Sequence, residues 1–192
     1  DIGLMMPMGD LHGIEQGCPI SARNQAARAG VGRAMLGRVL DGMGRPLDGG
    51  PPPAFDMQMP LVADPINPMH RQVIDTPMWL GIRAIDTLIT CGKGQRVGIF
   101  AGSGVGKSVT LGMMARNASS DVNVIALIGE RGREVLNFIH NDLGLEGLKR
   151  SVVICATSDT SPLQRIRAAK FATSIAEFFR AEGRDVLFMM DS

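Results

Sequence analysis

The feature that most constrains this chain is a glycine-rich turn at residues 101–108, AGSGVGKS, placed between an apolar run at 97–100 and a predicted helix at 109–118. Glycines let successive backbone N–H groups turn toward one anion, and the N-terminus of the following helix adds positive partial charge. Lys107 can reach the outer phosphates of a nucleotide, and the Ser108 hydroxyl can ligate Mg²⁺. A glycine-rich turn without a ligand is the alternative, but strand, loop, Lys-Ser pair and helix occur in the order that phosphate binding requires. The predicted nucleotide contacts are Gly102, Ser103, Gly104, Val105, Gly106, Lys107, Ser108 and Val109.

Charge and aromatic content argue against a nucleic-acid-binding surface. The sequence has 20 Lys and Arg against 19 Asp and Glu, which gives a formal net charge of +1. Aromatic residues make up 4% of the chain and Tyr is absent, so few side chains could stack on bases. We therefore expect no nucleic-acid partner.

Cysteine usage and hydropathy indicate the compartment. Cys18, Cys91 and Cys155 are far apart and form no C-x-x-C pair, which suits a reducing cytosol. No apolar stretch approaches the roughly 20 residues that span a bilayer, and the N-terminus lacks the pattern of a signal peptide. We expect a soluble cytoplasmic protein and, because the sequence begins at Asp1 and stops just after an apolar run, a fragment of a longer one.

Turn formers and prolines divide the first part of the chain. Residues 1–28 alternate short apolar pieces with Gly and Pro, which suits short strands of a β-barrel or a sheet edge. Prolines are concentrated at 51–77, which predicts an extended connector, and a short helix is predicted within 79–88. We divide the chain into the tail of a β-barrel at 1–28 and a nucleotide-binding domain at 29–192.

Strands then alternate with helices, which predicts an α/β domain with a parallel sheet covered by helices. The expected strands are at residues 97–100, 122–128, 152–156 and 186–190. A helix after residue 134 is expected to stop at Gly144, and another is expected to begin at Ser161, which is followed by proline.

Two carboxylates follow strands of this predicted sheet. Asp191 ends the fourth strand downstream of the phosphate loop, where an aspartate commonly supports Mg²⁺. Glu130 follows the second strand, at the edge where parallel sheets place ligand-contacting groups, and it could polarise a water for in-line attack on a γ-phosphate. Arg131 could contact phosphate, and Glu134 could support the waters of the metal. The alternative is an exposed salt-bridge cluster at the start of a helix.

Several segments of the chain match the sequence pattern of one known family: residues 36–42, 64–68, 81–86, 92–108 and 126–134. Through these segments the chain resembles the catalytic subunits of the rotary ATPase superfamily, and within it most closely the ATPases of type III protein export, flagellar or injectisome. Ala101, where the strict loop pattern has Gly, is a departure shared with the export branch.

This resemblance implies a small N-terminal β-barrel, a RecA-like P-loop domain and a C-terminal helical domain, assembled as a homo-hexamer with ATP sites between subunits. The chain would then be truncated after its Walker B strand, before the arginine finger and the adenine pocket. The implied cofactors are ATP and Mg²⁺. The implied partners are stalk and regulator proteins of the export apparatus, export substrates and their chaperones, and the inner face of the cytoplasmic membrane. The matching site residues are Lys107, Ser108, Glu130, Arg131 and Asp191, for phosphate, magnesium, water activation, phosphate contact and Walker B respectively.

Two other functions stay open at this point. The chain could come from the catalytic subunit of a rotary ATP synthase or from a non-catalytic nucleotide-binding scaffold. Glu130 argues against the scaffold, because non-catalytic relatives replace that carboxylate. Residues 64–71 and 112–116 modestly favour the flagellar branch over the injectisome.

Overall fold

A computed structural model describes residues 5–9, 12–22, 25–102 and 104–191. A π-helical segment, Phe138–Leu143, is called the π segment below. Short 3-10 turns lie at Arg33–Met35 and Pro68–His70. The strands are β1 (Arg28–Val31), β2 (Val39–Asp41), β3 (Met57–Pro60), β4 (Pro77–Met78), β5 (Cys91–Gly92), β6 (Val122–Ile128), β7 (Ser151–Ala156) and β8 (Val186–Asp191). The helices are α1 (Arg83–Leu88), α2 (Lys107–Asn117), α3 (Gly132–Asn137), α4 (Gly144–Lys149) and α5 (Pro162–Ala181).

The main sheet has four strands in the order β2-β7-β6-β8, and all its pairings are parallel. β6 and β7 are nearly continuous apolar runs whose residues are almost all buried, as expected for strands covered on both faces. The predicted α/β class with a helix-covered parallel sheet is therefore confirmed.

Helices pack on the two faces of this sheet. Alternate residues of β6 point to opposite cores: Val124 packs with α5, whereas Ile125 packs with α2 and the π segment. α5 buries an apolar stripe that includes Phe171, Ile175 and Phe178, and its first turn is capped by the Ser161 hydroxyl, which accepts a hydrogen bond from Gln164 N. The predicted start of this helix at Ser161 is correct.

Two small antiparallel ribbons lie outside the main sheet. β1 pairs with β3, and β4 pairs with β5. The proline-rich connector is mostly exposed and extended, and its strand β3 pairs on one side only, as proline content requires. Ser174 of α5 donates to the Pro60 carbonyl at 2.9 Å and so attaches the first ribbon to the α5 face.

The N-terminal part of the described chain contributes turns. Residues 5–9 and 12–22 contain no strand, and the first strand starts at Arg28, so the barrel assignment for residues 1–28 stays a prediction. Within the described ranges, no helix combines the length and the apolar character that crossing a bilayer would require.

The local predictions for three segments had different outcomes. The predicted strand at residues 97–100 is wrong, because among the described residues no strand pairs with the outer edge of β8, and Phe100 is 95% exposed. The short helix predicted within 79–88 is present as α1, which starts at Arg83 because the Asp86 carboxylate binds the backbone N–H groups of Leu80 and Gly81 and holds that turn non-helical. The helix after residue 134 ends at Gly144 as predicted, since Gly144 has a φ of 65°, and α4 begins there as a separate helix.

Candidate functional site

The candidate site lies at the carboxyl edge of the main sheet. The parallel register aligns Leu127 of β6 with Asp191 of β8 and with Cys155 of β7. The loops that leave β6 and β7 therefore begin beside Asp191. This common edge is where open α/β sheets bind ligands.

The predicted phosphate-binding loop has a defined backbone geometry at its end. Gly104 and Gly106 have φ of 76° and 98°, in the left-handed region that favours glycine, while a β-carbon at either position would meet open space. Glycine is needed here for backbone conformation and not for room. The Gly106 carbonyl accepts hydrogen bonds from both the backbone N–H and the hydroxyl of Thr110, each at 2.9 Å, which fixes the first turn of α2. Of the other predicted contacts, Gly102, Val105, Ser108 and Val109 are exposed, and Ser103 lies outside the described residues.

Lys107 and Asp191 are in direct contact. The Lys107 ammonium, at the first position of α2, donates to Oδ1 of Asp191 at the end of β8. The Asp191 side chain is 8% exposed and that of Lys107 is 33% exposed. The hydrogen bond to Asp191 raises the pKa of Lys107, so the ammonium stays charged. Two residues predicted separately, one for phosphate and one for metal, are thus brought together.

Glu130 is half-buried on the loop that leaves β6. Burial raises the pKa of its carboxyl group above the ordinary glutamate value, and a hydrogen bond with Glu134 and the charge of Asp191 act in the same direction. The Lys107 charge opposes them. The Glu130 carbonyl accepts a hydrogen bond from Ser158 N at 3.0 Å, which ties this loop to the loop after β7.

Arg131 and Glu134 form a looser, exposed pair. Arg131 Nη1 lies 3.4 Å from Glu134 Oε1, and the two side chains are 69% and 49% exposed. The salt-bridge alternative therefore describes part of this cluster, whereas Glu130 lies within range of the charges of Asp191 and Lys107. The roles of Arg131 in phosphate contact and of Glu134 near the metal stay predictions.

The oxygen donors at this edge fit Mg²⁺. Glu130, Glu134 and Asp191 place three carboxylates near one ammonium, and their mutual repulsion contributes to the raised pKa of Glu130. A divalent cation would relieve that repulsion. Among the described residues, no group of three or more His, Cys, Asp or Glu is placed to hold a metal ion by itself. Mg²⁺ does not require such a group, because it is usually held by one or two protein oxygens together with phosphates and waters.

Sequence reasoning missed the part played by Ser158. The sequence assigns it no role, and the structure shows its backbone N–H donating a hydrogen bond to the Glu130 carbonyl. The usable signal was its position just after a strand adjacent to that of Glu130. The neighbouring Asp159 has a pKa lowered by a hydrogen bond from Thr157, and burial raises the pKa of the Cys155 thiol to about 11, which leaves that thiol unreactive.

Comparisons with known proteins agree with this geometry. The family model for the nucleotide-binding domain of the ATP synthase alpha/beta family matches residues 81–192. A flagellum-specific ATP synthase from Bacillus subtilis is 51% identical over 98% of this chain and 43% of its own length. A type 3 secretion system ATPase from Xanthomonas euvesicatoria is 51% identical over 100% of this chain and 43% of its own.

Solved structures give the same result. The assembled ATPase EscN from the type III secretion system of enteropathogenic E. coli, in complex with its central stalk EscO, superimposes with a TM-score of 0.81. The two are 53% identical, and the match covers 86% of this chain and 41% of that one. The chain thus spans less than half the length of these relatives, and the predicted resemblance to the export branch is confirmed. With the family model covering more than half of its residues, this chain belongs to the ATP synthase alpha/beta family.

Proposed function

We propose that the protein containing this chain is an Mg²⁺-dependent ATPase that energises type III protein export. The observation that carries the proposal is the meeting of Lys107, Asp191 and Glu130 at one sheet edge, beside the glycine-rich start of α2. Hydrolysis of a γ-phosphate needs three groups: a cation that binds phosphate, a carboxylate that supports the metal ion, and a half-buried carboxylate that orients the attacking water.

The residues of the chain divide the work as follows. The backbone N–H groups of residues 102–109 and Lys107 bind the phosphates of ATP. Ser108 and Asp191, with Glu134 nearby, would hold Mg²⁺, which neutralises phosphate charge when bound. Glu130 accepts a proton from the attacking water, and its raised pKa makes it a better base than an ordinary glutamate. Arg131 contacts the phosphate that is released.

The relatives support a proposal about the assembly of the protein. We propose a homo-hexamer, since the related EscN is described as assembled and bound to a central stalk, EscO. A stalk protein, regulators, export substrates and their chaperones would be the partners. The protein would work in the cytoplasm, peripherally attached to the inner face of the cytoplasmic membrane. The flagellar branch is favoured by residues 64–71 and 112–116, and loss of motility after gene deletion would test that choice.

The decisive experiment is Glu130→Gln in the complete protein. We expect ATP binding to persist and turnover to fall by about 100-fold or more, because the amide cannot accept the proton. Binding is measured with a fluorescent ATP analogue, and turnover by phosphate release. Glu146→Gln is the matched control, because Glu146 is an exposed glutamate that pairs with the exposed Lys149, and it should leave both quantities unchanged.

Turnover by Glu130→Gln at the wild-type rate would remove Glu130 from the mechanism. A wild-type protein that binds ATP but does not hydrolyse it would instead favour a non-catalytic scaffold.

A further inference from the structure

Gly112, in the middle of α2, lies against the backbone of the π segment. A β-carbon built on Gly112 would lie 2.5 Å from the carbonyl oxygen of Asp142, and 2.7 Å from both its carbonyl carbon and its β-carbon. Gly112 is buried, and its φ is not in the left-handed region. Glycine is a poor helix former, so its place inside a helix needs another reason. The reason here is the close approach of a second backbone.

The two segments that meet at Gly112 each carry half of the candidate site. α2 begins with Lys107 and Ser108, about one and a half helical turns before Gly112. α3 begins just after Glu130 and carries Glu134 in its first turn, about two turns before Asp142. The helical path from α3 through the π segment is continuous. The spacing of these two segments therefore influences the distance between the phosphate-binding groups and the two glutamates.

This contact is harder to deform than a second close glycine contact of the π segment. At Gly147 of α4, a β-carbon would meet Leu143 Cδ1 at 2.8 Å and Arg116 Cγ at 3.1 Å. Both are side-chain atoms that can rotate away. At Gly112 the nearest atoms belong to the backbone, so the helices themselves must separate.

The π-helical hydrogen bonding occurs at the same contact between Gly112 and Asp142. The Gly144 N–H donates to the Ile139 carbonyl, one residue further back than in an α-helix, and this turn contains Asp142. Such π turns occur frequently at functional sites.

We propose that Gly112 is a positioning residue, whose contact with the Asp142 backbone sets the separation between Lys107 with Ser108 and Glu130 with Glu134. The inference rests on the proposed ATPase function. Adding a methyl group would move α2 from the π segment by about 1 Å, and displacements of that size can cost about 100-fold in rate. The nucleotide would move with α2, so its binding would survive.

The test compares Gly112→Ala with Gly147→Ala in the complete protein. For Gly112→Ala we expect kcat to fall by about 10- to 100-fold, with the Kd of a fluorescent ATP analogue changed by less than about twofold. For Gly147→Ala we expect both quantities to stay within about twofold of wild type. Thermal unfolding of both variants shows whether stability alone separates them.

Three results would overturn the inference: unchanged kcat in Gly112→Ala, an equal loss of kcat in Gly147→Ala, or a loss of affinity in Gly112→Ala that matches the loss of kcat. The wild-type measurement tests the proposed function separately. If Gly112→Ala does not fold, Asp142→Gly removes the β-carbon on the other side of the contact and loosens the π segment. It should lower kcat with the affinity for ATP retained, and unchanged kcat there would equally contradict the proposal.

Discussion

Asp48 shows how much one carboxylate can organise. It accepts hydrogen bonds from Arg38 Nε at 2.7 Å and Arg38 Nη2 at 2.8 Å, and from the backbone N–H groups of Val39 and Gly50 at 3.0 Å each. The Arg38 guanidinium is the main reason that the pKa of Asp48 lies well below its usual range. The pair fixes the loop that follows β2, which is an outer strand of the main sheet.

Replacing Asp48 with Asn should destabilise the protein by about 1–3 kcal/mol at neutral pH, the range for hydrogen bonds to charged groups. Because the folded pKa is depressed, the carboxylate contributes fully above its unfolded pKa of about 3.9, and the contribution is lost as pH falls through the folded pKa. The difference in the free energy of unfolding between wild type and Asp48→Asn should therefore become smaller below about pH 4. Urea unfolding at several pH values measures it.

The control is again Glu146→Gln, whose exposed ion pair should contribute almost nothing at any pH. If the difference in the free energy of unfolding between wild type and Asp48→Asn does not change with pH, the shape of the side chain, and not its charge, would explain the lost stability.

At the scale of elements, a buried polar cluster joins α2 to β6 and β7. Asn123 of β6 donates to the Ala115 carbonyl at 2.7 Å and to the Ser151 hydroxyl at 3.2 Å. It also accepts from the Ser120 hydroxyl at 2.8 Å. Asn123 and Ser151 are completely buried, so each lost bond leaves a polar atom without water.

We expect Asn123→Ala to lower the free energy of unfolding by about 2–4 kcal/mol, because it removes the acceptor of the buried Ser120 hydroxyl and the amide that donates to the Ala115 carbonyl, and leaves a small cavity. Denaturant unfolding measures the loss. Asn117→Ala is the control, since Asn117 makes one exposed bond to the carbonyl one turn earlier, and it should change stability by less than about 0.5 kcal/mol. Equal effects of the two substitutions would contradict the importance of burial.

The sequence predicted the elements that are marked by local signals, and it did not predict pairings between distant segments. β6 was predicted with its observed bounds and α5 with its observed start, because apolar runs, glycines and a Ser-Pro cap are local signals. The pairing of β2 with β7 was not predicted, since nothing in a three-residue strand identifies a partner so distant in sequence. Residues 97–100 have the composition of a strand, but composition does not supply a neighbour to pair with.

In the candidate site, too, the sequence predicted the residues but not all of their contacts. Lys107, Glu130 and Asp191 were predicted from motifs and strand ends, and parallel pairing does bring them to one edge. The direct Lys107–Asp191 contact and the approach of Gly112 to Asp142 depend on how helices pack, which residue types alone do not specify.

At the scale of the whole molecule, the candidate site is open. Lys107 and Glu130 are partly exposed, and Ser108 and Arg131 are exposed, although a dry site strengthens the electrostatic interactions that catalysis uses. In the proposed hexamer, a neighbouring subunit would cover this edge.

ATP turnover per molecule should therefore rise with protein concentration, by about tenfold or more between the dilute and the assembled protein. Phosphate release measured from nanomolar to micromolar protein, with light scattering for mass, tests this. Glu130→Gln should assemble in the same way and remain inactive. Turnover per molecule that is independent of concentration would show that each subunit works alone.

The order of the main sheet also affects how the chain folds. β7 lies between β2 and β6, yet it follows both in the sequence, and it pairs Val39 with Val153. Pairings between distant segments form slowly, because a long loop must close before any contact is made. During synthesis, β2 and β6 cannot join one sheet until β7 has left the ribosome. A nascent chain that ends before residue 151 would thus expose two apolar strands at once, which makes it a natural client for a chaperone.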